Sequence, residues 1–169
     1  SSGGGDPARP PAVCEPTVSL YDTSNGRMVG DGTPESCTEH ALRALAEQGG
    51  TIRFDCGPAP VTIDITETIQ LRIDADTIID GEGRVTLDAG KLTRHFNFDS
   101  ANWMVTRTKV VLQRLTLING KAPASQYVPP IDGFPLCAYG HAEGMGGAIF
   151  VRDGVLHVID CDFIDNEAA

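Results

Sequence analysis

Gly146-Gly147-Ala148-Ile149-Phe150-Val151, Arg152-Asp153-Gly154 and Val155-Leu156-His157-Val158-Ile159-Asp160-Cys161-Asp162-Phe163-Ile164-Asp165-Asn166 are consecutive in the 169-residue sequence and contain three strand-like runs. Each run is three to six residues long, rich in β-branched and aromatic side chains and bounded by Gly, Asp or Asn, so none can carry a helix. An earlier segment repeats the last run: Leu115-Thr116-Leu117-Ile118-Asn119-Gly120 aligns with Cys161-Asp162-Phe163-Ile164-Asp165-Asn166, 46 residues further on. Between them lie residues 121–144, 24 residues without strand pattern; subtracting these leaves a repeat of 22. A third copy, Thr77-Ile78-Ile79-Asp80-Gly81, places Asp or Asn at positions 80, 119 and 165. Strands this short are stable only when the next repeat stacks on them, which predicts a parallel β-helix. Period two turns Leu115, Leu117, Cys161 and Phe163 inward and Thr116 and Asp162 outward. Asp80, Asn119 and Asp165 are expected as a structural ladder of corner residues, with Ile78, Leu117 and Phe163 stacked inside.

Working outward, residues 1–12 combine Gly and Ser with Pro and lack large apolar side chains, the composition of a flexible tether. Residues 13–50 form a turn region and a helix. The turns are marked by Asn25-Gly26 and Gly30-Asp31-Gly32, and few strand signals occur before residue 33. Thr33 as N-cap, Pro34 at the first helical position, Glu35 in the first turn and Gly49-Gly50 as a stop predict a helix over 33–48. Its apolar stripe is Cys37, Ala41, Ala44 and Leu45, with Leu42 beside it, and the helix is expected to cap the first repeat, Leu45 facing it. Residues 51–169 carry strand patterns at 51–56, 61–65, 68–73, 77–79, 85–87, 95–98 and 110–117, with Asp80-Gly81-Glu82-Gly83 read as a corner. The long loop at 121–144 holds Tyr127, Phe134, Cys137, Tyr139, His141 and Glu143; a loop of that length within a compact repeat is expected to have a binding role.

Gly146-Gly147-Ala148-Ile149 followed by Phe163-Ile164-Asp165-Asn166 resembles the GGAI and FxxN pair of bacterial surface proteins, including the chlamydial polymorphic outer-membrane proteins. These belong to the pectin-lyase-like superfamily. The resemblance implies an all-β, right-handed parallel β-helix (solenoid) with an N-terminal capping α-helix, and an exported, extracellular or cell-surface protein anchored through its tether. Such a protein is expected to act as a non-enzymatic scaffold for adhesion, carbohydrate contact or assembly; the alternative is a polysaccharide lyase or glycoside hydrolase of the same superfamily. Export would make Cys37, on the helix, and Cys56, at the end of the first strand, an economical disulfide pair. Cys14 and Cys137 are left as candidates for each other, Cys161 as an inward-facing thiol, and an odd count of five leaves at least one unpaired within the chain.

A formal charge of −10 and a pI near 4.6 argue against nucleic acid and against a polyanion held by charge alone. No run is long and apolar enough for a membrane span. No CxxC or dense acidic loop occurs, so no metal and no cofactor is expected. A lyase would need a base, and Arg53, Arg72, Arg114 and Arg152 are the candidates for an outward column; a hydrolase would need convergent carboxylates, which the sequence does not display. The binding residues expected to meet a polysaccharide or surface glycan are Tyr127, Phe134, Tyr139 and His141, with Trp103 as a further stacking surface. Residues 165–169 contain no second capping element. Further strands, from a continuation of the chain or from another protein, are therefore expected at that end of the repeat.

Overall fold

The computed structural model describes residues 18–100, 105–123 and 145–168. In chain order the elements are β1 (Arg27–Val29), α1 (Glu39–Ala46), β2 (Gly50–Phe54), β3 (Val61–Asp64), β4 (Ile69–Gln70), β5 (Thr77–Asp88), β6 (Phe96–Asp99), β7 (Lys109–Ile118), β8 (Ile149–Arg152), β9 (Val155–Ile159) and β10 (Asp162–Ile164). Seven strands form one sheet along the path β1-β2-β5-β7-β10, with β3 also on β5 and β9 also on β7; β4, β6 and β8 form a smaller second sheet. Every strand pair is parallel. The two long strands organise the large sheet: β5 takes β2 on its first half and β3 on its second, and β7 runs beside both halves before taking β9 and β10 in the same way.

Alternation explains which side chains meet. Along β7, Val110, Leu112, Leu115 and Leu117 lie in the core, as do Ile79, Val85 and Leu87 on β5. Phe96 and Phe98 of the small sheet enter that same cluster, so the two sheets share one interior. Parallel strands buried in this way read as nearly continuous apolar runs, as Lys109–Ile118 does.

The structure corrects four sequence expectations. The all-β right-handed parallel β-helix is the first: a large and a small parallel sheet with a helix are found, and no closed solenoid is detected among the described residues. Strands of twelve and ten residues replace the uniformly short runs, because the 80–83 segment expected as a corner is a register irregularity inside β5, between Asp80 and Val85. Nor is the spacing a constant 22; register partners are 25, 27, 33 and 46 residues apart at Arg27/Ile52, Gly50/Thr77, Thr77/Val110 and Lys109/Val155.

The second correction concerns the ladder. Asn119 comes directly after Ile118 and Asp165 directly after Ile164, which are register partners, and both take left-handed backbone with φ of 55° and 53°. Asp80 does not join them; it lies opposite Gln113, and the position of β5's row that matches Asn119 is Ala89, after Asp88. Ile78 accordingly pairs with Val111, out of phase with Ile79 and the core, whereas Leu117 is buried and Phe163 is 42% exposed. A second left-handed set, Glu82, Arg114 and Asp160 at φ 53°, 51° and 54°, marks the bend that sequence reading assigned to Asp80. Third, β1 occupies part of the region read as strand-poor, its Arg27-Met28-Val29 lying parallel to Ile52-Arg53-Phe54.

The helix is the fourth correction. Pro34–Ser36 makes only a 3-10 turn, and α1 starts afresh after Thr38, whose extended backbone (φ −114°, ψ 158°) and hydroxyl, accepting the Ala41 N–H at 3.2 Å, make it the N-cap. Leu42 and Ala46 are the buried face, with Ala41 and Leu45 only partly buried. Arg27 closes the other end: its guanidinium donates to the carbonyls of Leu45, at 3.2 Å, and Gly49, and to Gln48 Oε1 at 2.9 Å, placing a cation where the helix dipole is negative. α1 packs on β1, β2 and β4 and so lies across both sheets at one extremity.

Cys37, just before α1, is disulfide-bonded to Cys56 after β2, with Cα atoms 5.6 Å apart. The bridge closes a separation of 19 residues and ties the approach to α1 to the end of β2. Replacing both cysteines by Ser is expected to lower the unfolding free energy by about 3 kcal/mol, the loop-closure value for this length, in urea titrations. Unchanged stability on mutation and on reduction would show that packing alone holds this corner. Among the described residues, no helix is long and apolar enough to cross a membrane.

Candidate functional site

The two extremities of the sheets differ. At the first, Val29 on the terminal strand β1 is 1% exposed, because α1 covers it. At the other, β8, β9 and β10 each have one neighbour, β6, β7 and β7, and no described strand pairs with their outer edges. Leu156 and Val158 of β9 lie beside Val110 and Leu112, and Phe163 of β10 beside Leu117. The inner three are at most 1% exposed, while Leu156, Val158 and Phe163 are 36%, 44% and 42% exposed. They are core side chains by register whose covering layer is missing from the described residues. Ile149, Val151 and Cys161 pack partly against the same cluster, and burial pushes the Cys161 thiol up from its ordinary pKa.

Acidic side chains border this open end. Asp160, Asp162 and Asp165 are all exposed, next to the apolar strip. Glu167 is neutralised from the rows below by Lys91 Nζ at 2.7 Å and Lys121 Nζ at 3.8 Å. Asn166 completes the corner: its side chain accepts the Gly120 N–H at 2.7 Å and donates to the Leu117 carbonyl at 3.0 Å, standing in for strand pairing between β7 and the residues after β10.

On the face of the large sheet away from the core, residues 21–23 cross over β5, β7 and β9. Asp80, fully buried, accepts from Thr23 Oγ1 at 2.7 Å, Gln113 Nε2 at 2.8 Å, the Glu82 N–H at 2.9 Å and the Arg114 guanidinium through Nε at 3.0 Å and its terminal nitrogen. Burial would raise its carboxyl pKa, but the hydrogen bonds from Arg114, Thr23, Gln113 and Glu82 outweigh it and hold the group below the usual carboxylate range. Gln113 also brackets Tyr21, accepting its N–H at 2.9 Å and donating to its carbonyl at 3.1 Å, and the Tyr21 hydroxyl is 2.7 Å from His157 Nδ1. Sequence reading missed Tyr21, Thr23 and Gln113, because the contacts that join them to the sheet span 57 and 92 residues and leave no local pattern.

The arginines proposed as a lyase base are all committed to carboxylates. Arg53 holds Glu82, Arg72 holds Asp74, Arg114 holds Asp80, and Arg152 holds Asp99 at 2.6 Å. Hydrogen bonding to Asp80 and Asp74 raises the pKa values of Arg114 and Arg72, the opposite of what a general base requires. They form no single column either, Arg53 and Arg114 belonging to the large sheet and Arg152 to the small one. Among the described residues no three His, Cys, Asp or Glu side chains are grouped to hold a metal. Tyr127, Phe134, Tyr139 and His141, with Cys14, Cys137, Glu143 and Trp103, lie outside the described residues.

No family model, curated protein or solved structure matches this chain.

One buried group gives the molecule a pH response. His95 is fully buried, its Nε2 within 3.0 Å of the Leu87 carbonyl and its Nδ1 unpartnered. Desolvation outweighs the carbonyls of Leu87, Ala148 and Ile118 and the Asp88 charge and lowers its pKa. Linkage sets the sign: below about pH 6.5 the unfolded chain binds a proton that the folded one refuses, so stability falls as the pH drops towards the folded pKa. His95→Gln, which keeps a donor for the Leu87 carbonyl, should flatten that limb in urea titrations run from neutral to mildly acidic pH. An unchanged pH slope would assign the limb to other groups.

Proposed function

We propose that this protein is an exported, non-enzymatic scaffold that works at the cell surface by assembly through the open end of its sheets. The observation that carries the reading is the contrast between a helix-covered first extremity and a last extremity where, among the described residues, nothing pairs with three strand edges or covers the core-register side chains. Unpaired parallel edges with an exposed apolar strip are the surface to which another strand adds. The Cys37–Cys56 disulfide supports a compartment outside the reducing cytoplasm, and the GGAI and FxxN resemblance supports the cell surface, with residues 1–12 as the tether. Carboxylates and arginines absorbed in ion pairs favour this reading over a lyase or hydrolase. The test is a panel of neutral and acidic polysaccharides incubated with the protein, with and without calcium, and assayed for new reducing ends and unsaturated sugars. No product is expected, and sustained turnover of any member would replace the scaffold reading with an enzymatic one.

A further inference from the structure

We infer that the open end takes an extended segment of a separate polypeptide, apolar at alternate positions and carrying Lys or Arg between them. The inference rests on the assembly reading and names the chemistry of the partner. Its first element is register. A strand laid on β9 and β10 would cover Leu156, Val158 and Phe163 as these cover Val110, Leu112 and Leu117, and alternate apolar side chains suffice for that.

Its second element is the way charge is handled between rows. Four acids of this protein are met by cations from a neighbouring row, Glu82 on β5 by Arg53 of β2, Asp80 on β5 by Arg114 of β7, Asp99 on β6 by Arg152 of β8, and Glu167 by Lys91 and Lys121, whereas Asp64 and Asp88 stack on each other without an ion pair. In the last row, Asp162 has no cation on the inner side, its register partner being Thr116, and the one cation at Asp165, Lys91, is spent on the Asp165 backbone carbonyl and on Glu167. Asp160 adjoins Arg114, but that guanidinium is already held by Asp80. By the same stacking, the matching cations belong on the strand that adds. A second copy of this chain fits poorly, because meeting end to end would bring Asp160, Asp162 and Asp165 of two molecules together in a chain of net charge −10. Head-to-tail addition of copies is obstructed by α1 at the opposite extremity.

The experiment measures binding of three short fluorescent peptides to the intact chain: valine alternating with lysine, with threonine, or with glutamate. Amide exchange over residues 155–164 is monitored in parallel. The lysine peptide is expected to bind about tenfold or more tightly than the threonine peptide, the advantage shrinking with salt. It should slow exchange at the β9 and β10 edges. Asp162→Asn with Asp165→Asn should erase the lysine preference, and Val158→Lys, at a side chain already exposed, should abolish binding of both. Equal binding of the lysine and threonine peptides with protection of 155–164 would overturn the basic partner while leaving strand addition intact. Failure of every peptide to protect that edge would overturn both. Concentration-dependent dimerisation that protects the same amides without peptide would assign the surface to a second copy instead.

Discussion

Asp80→Ala is expected to destabilise the protein by about 3 to 5 kcal/mol, because it removes one partner of a buried ion pair and strands the hydrogen-bonding groups around it. Asp80 is the acceptor for Thr23, Gln113, Arg114 and the Glu82 amide, and it is fully buried, whereas the Arg114 side chain is 34% exposed. That asymmetry matters: Arg114 can turn to water when Asp80 is lost, but Thr23 and Gln113 are buried between the crossing segment and the sheet and cannot do so as easily. Urea titration gives the energy, and amide exchange tells where it is lost. Exchange should accelerate first around Tyr21 and Thr23, the residues the network pins to the sheet. Asp80→Asn keeps an acceptor for the Thr23 and Gln113 donors and should cost roughly 1 to 2 kcal/mol. The lowered carboxyl pKa fixes the pH window: the contribution is complete above the unfolded value near pH 4 and disappears as the pH falls through the folded value. The His95 limb begins higher, at the unfolded histidine value, and is common to wild type and Asp80→Asn, so it cancels in the difference between them. Equal stabilities for wild type and Asp80→Ala at neutral pH would mean that the network is held by packing, not by its charge.

The legible part of the molecule is the part that period two and capping chemistry encode. Alternation placed Leu115 and Leu117 inward, and the repeat of 115–120 at 161–166 put β10 beside β7 in its observed register. Length was not legible, because alternation continues across Gly81 to Arg84 only with a register change; a sequence window sees two short runs where pairing on both flanks maintains one strand. For the same reason Asp80 looked like a third corner. The chemical similarity of Ile-Ile-Asp-Gly to Leu-Ile-Asn-Gly concealed that one precedes a bulge and the other a true bend. Thr33 and Thr38 are both good N-cap residue types, and the structure uses Thr38, whose side chain accepts the Ala41 N–H, while Thr33 makes no side-chain cap. The network through Tyr21 and Gln113 spans 92 residues and has no local signature.

Leu42→Asp should have the other large effect, because Leu42, not Leu45, is the side chain by which α1 covers the first extremity. Leu42 is fully buried among residues of the shared core, one turn from buried Ala46, and α1 touches β1, β2 and β4. Truncation to Ala should cost about 2 to 5 kcal/mol from lost burial and the cavity left behind. Asp adds an unpaired carboxylate to the same cavity, so Leu42→Asp is expected to abolish cooperative folding or to exceed the Ala loss by about 1 to 3 kcal/mol. Leu45 is only partly buried, and its carbonyl already receives Arg27, so Leu45→Ala should cost about 1 kcal/mol. Acidification gives an independent reading. Burial raises the pKa of an introduced carboxyl, so the folded state gains a proton before the unfolded one does, and the excess penalty of Asp over Ala should shrink as the pH falls from neutral towards about 4. The His95 limb is common to both variants and cancels in that difference. A Leu42→Asp protein within about 1 kcal/mol of wild type would mean that α1 swings away without cost, and the first extremity would then be as open to strand addition as the last.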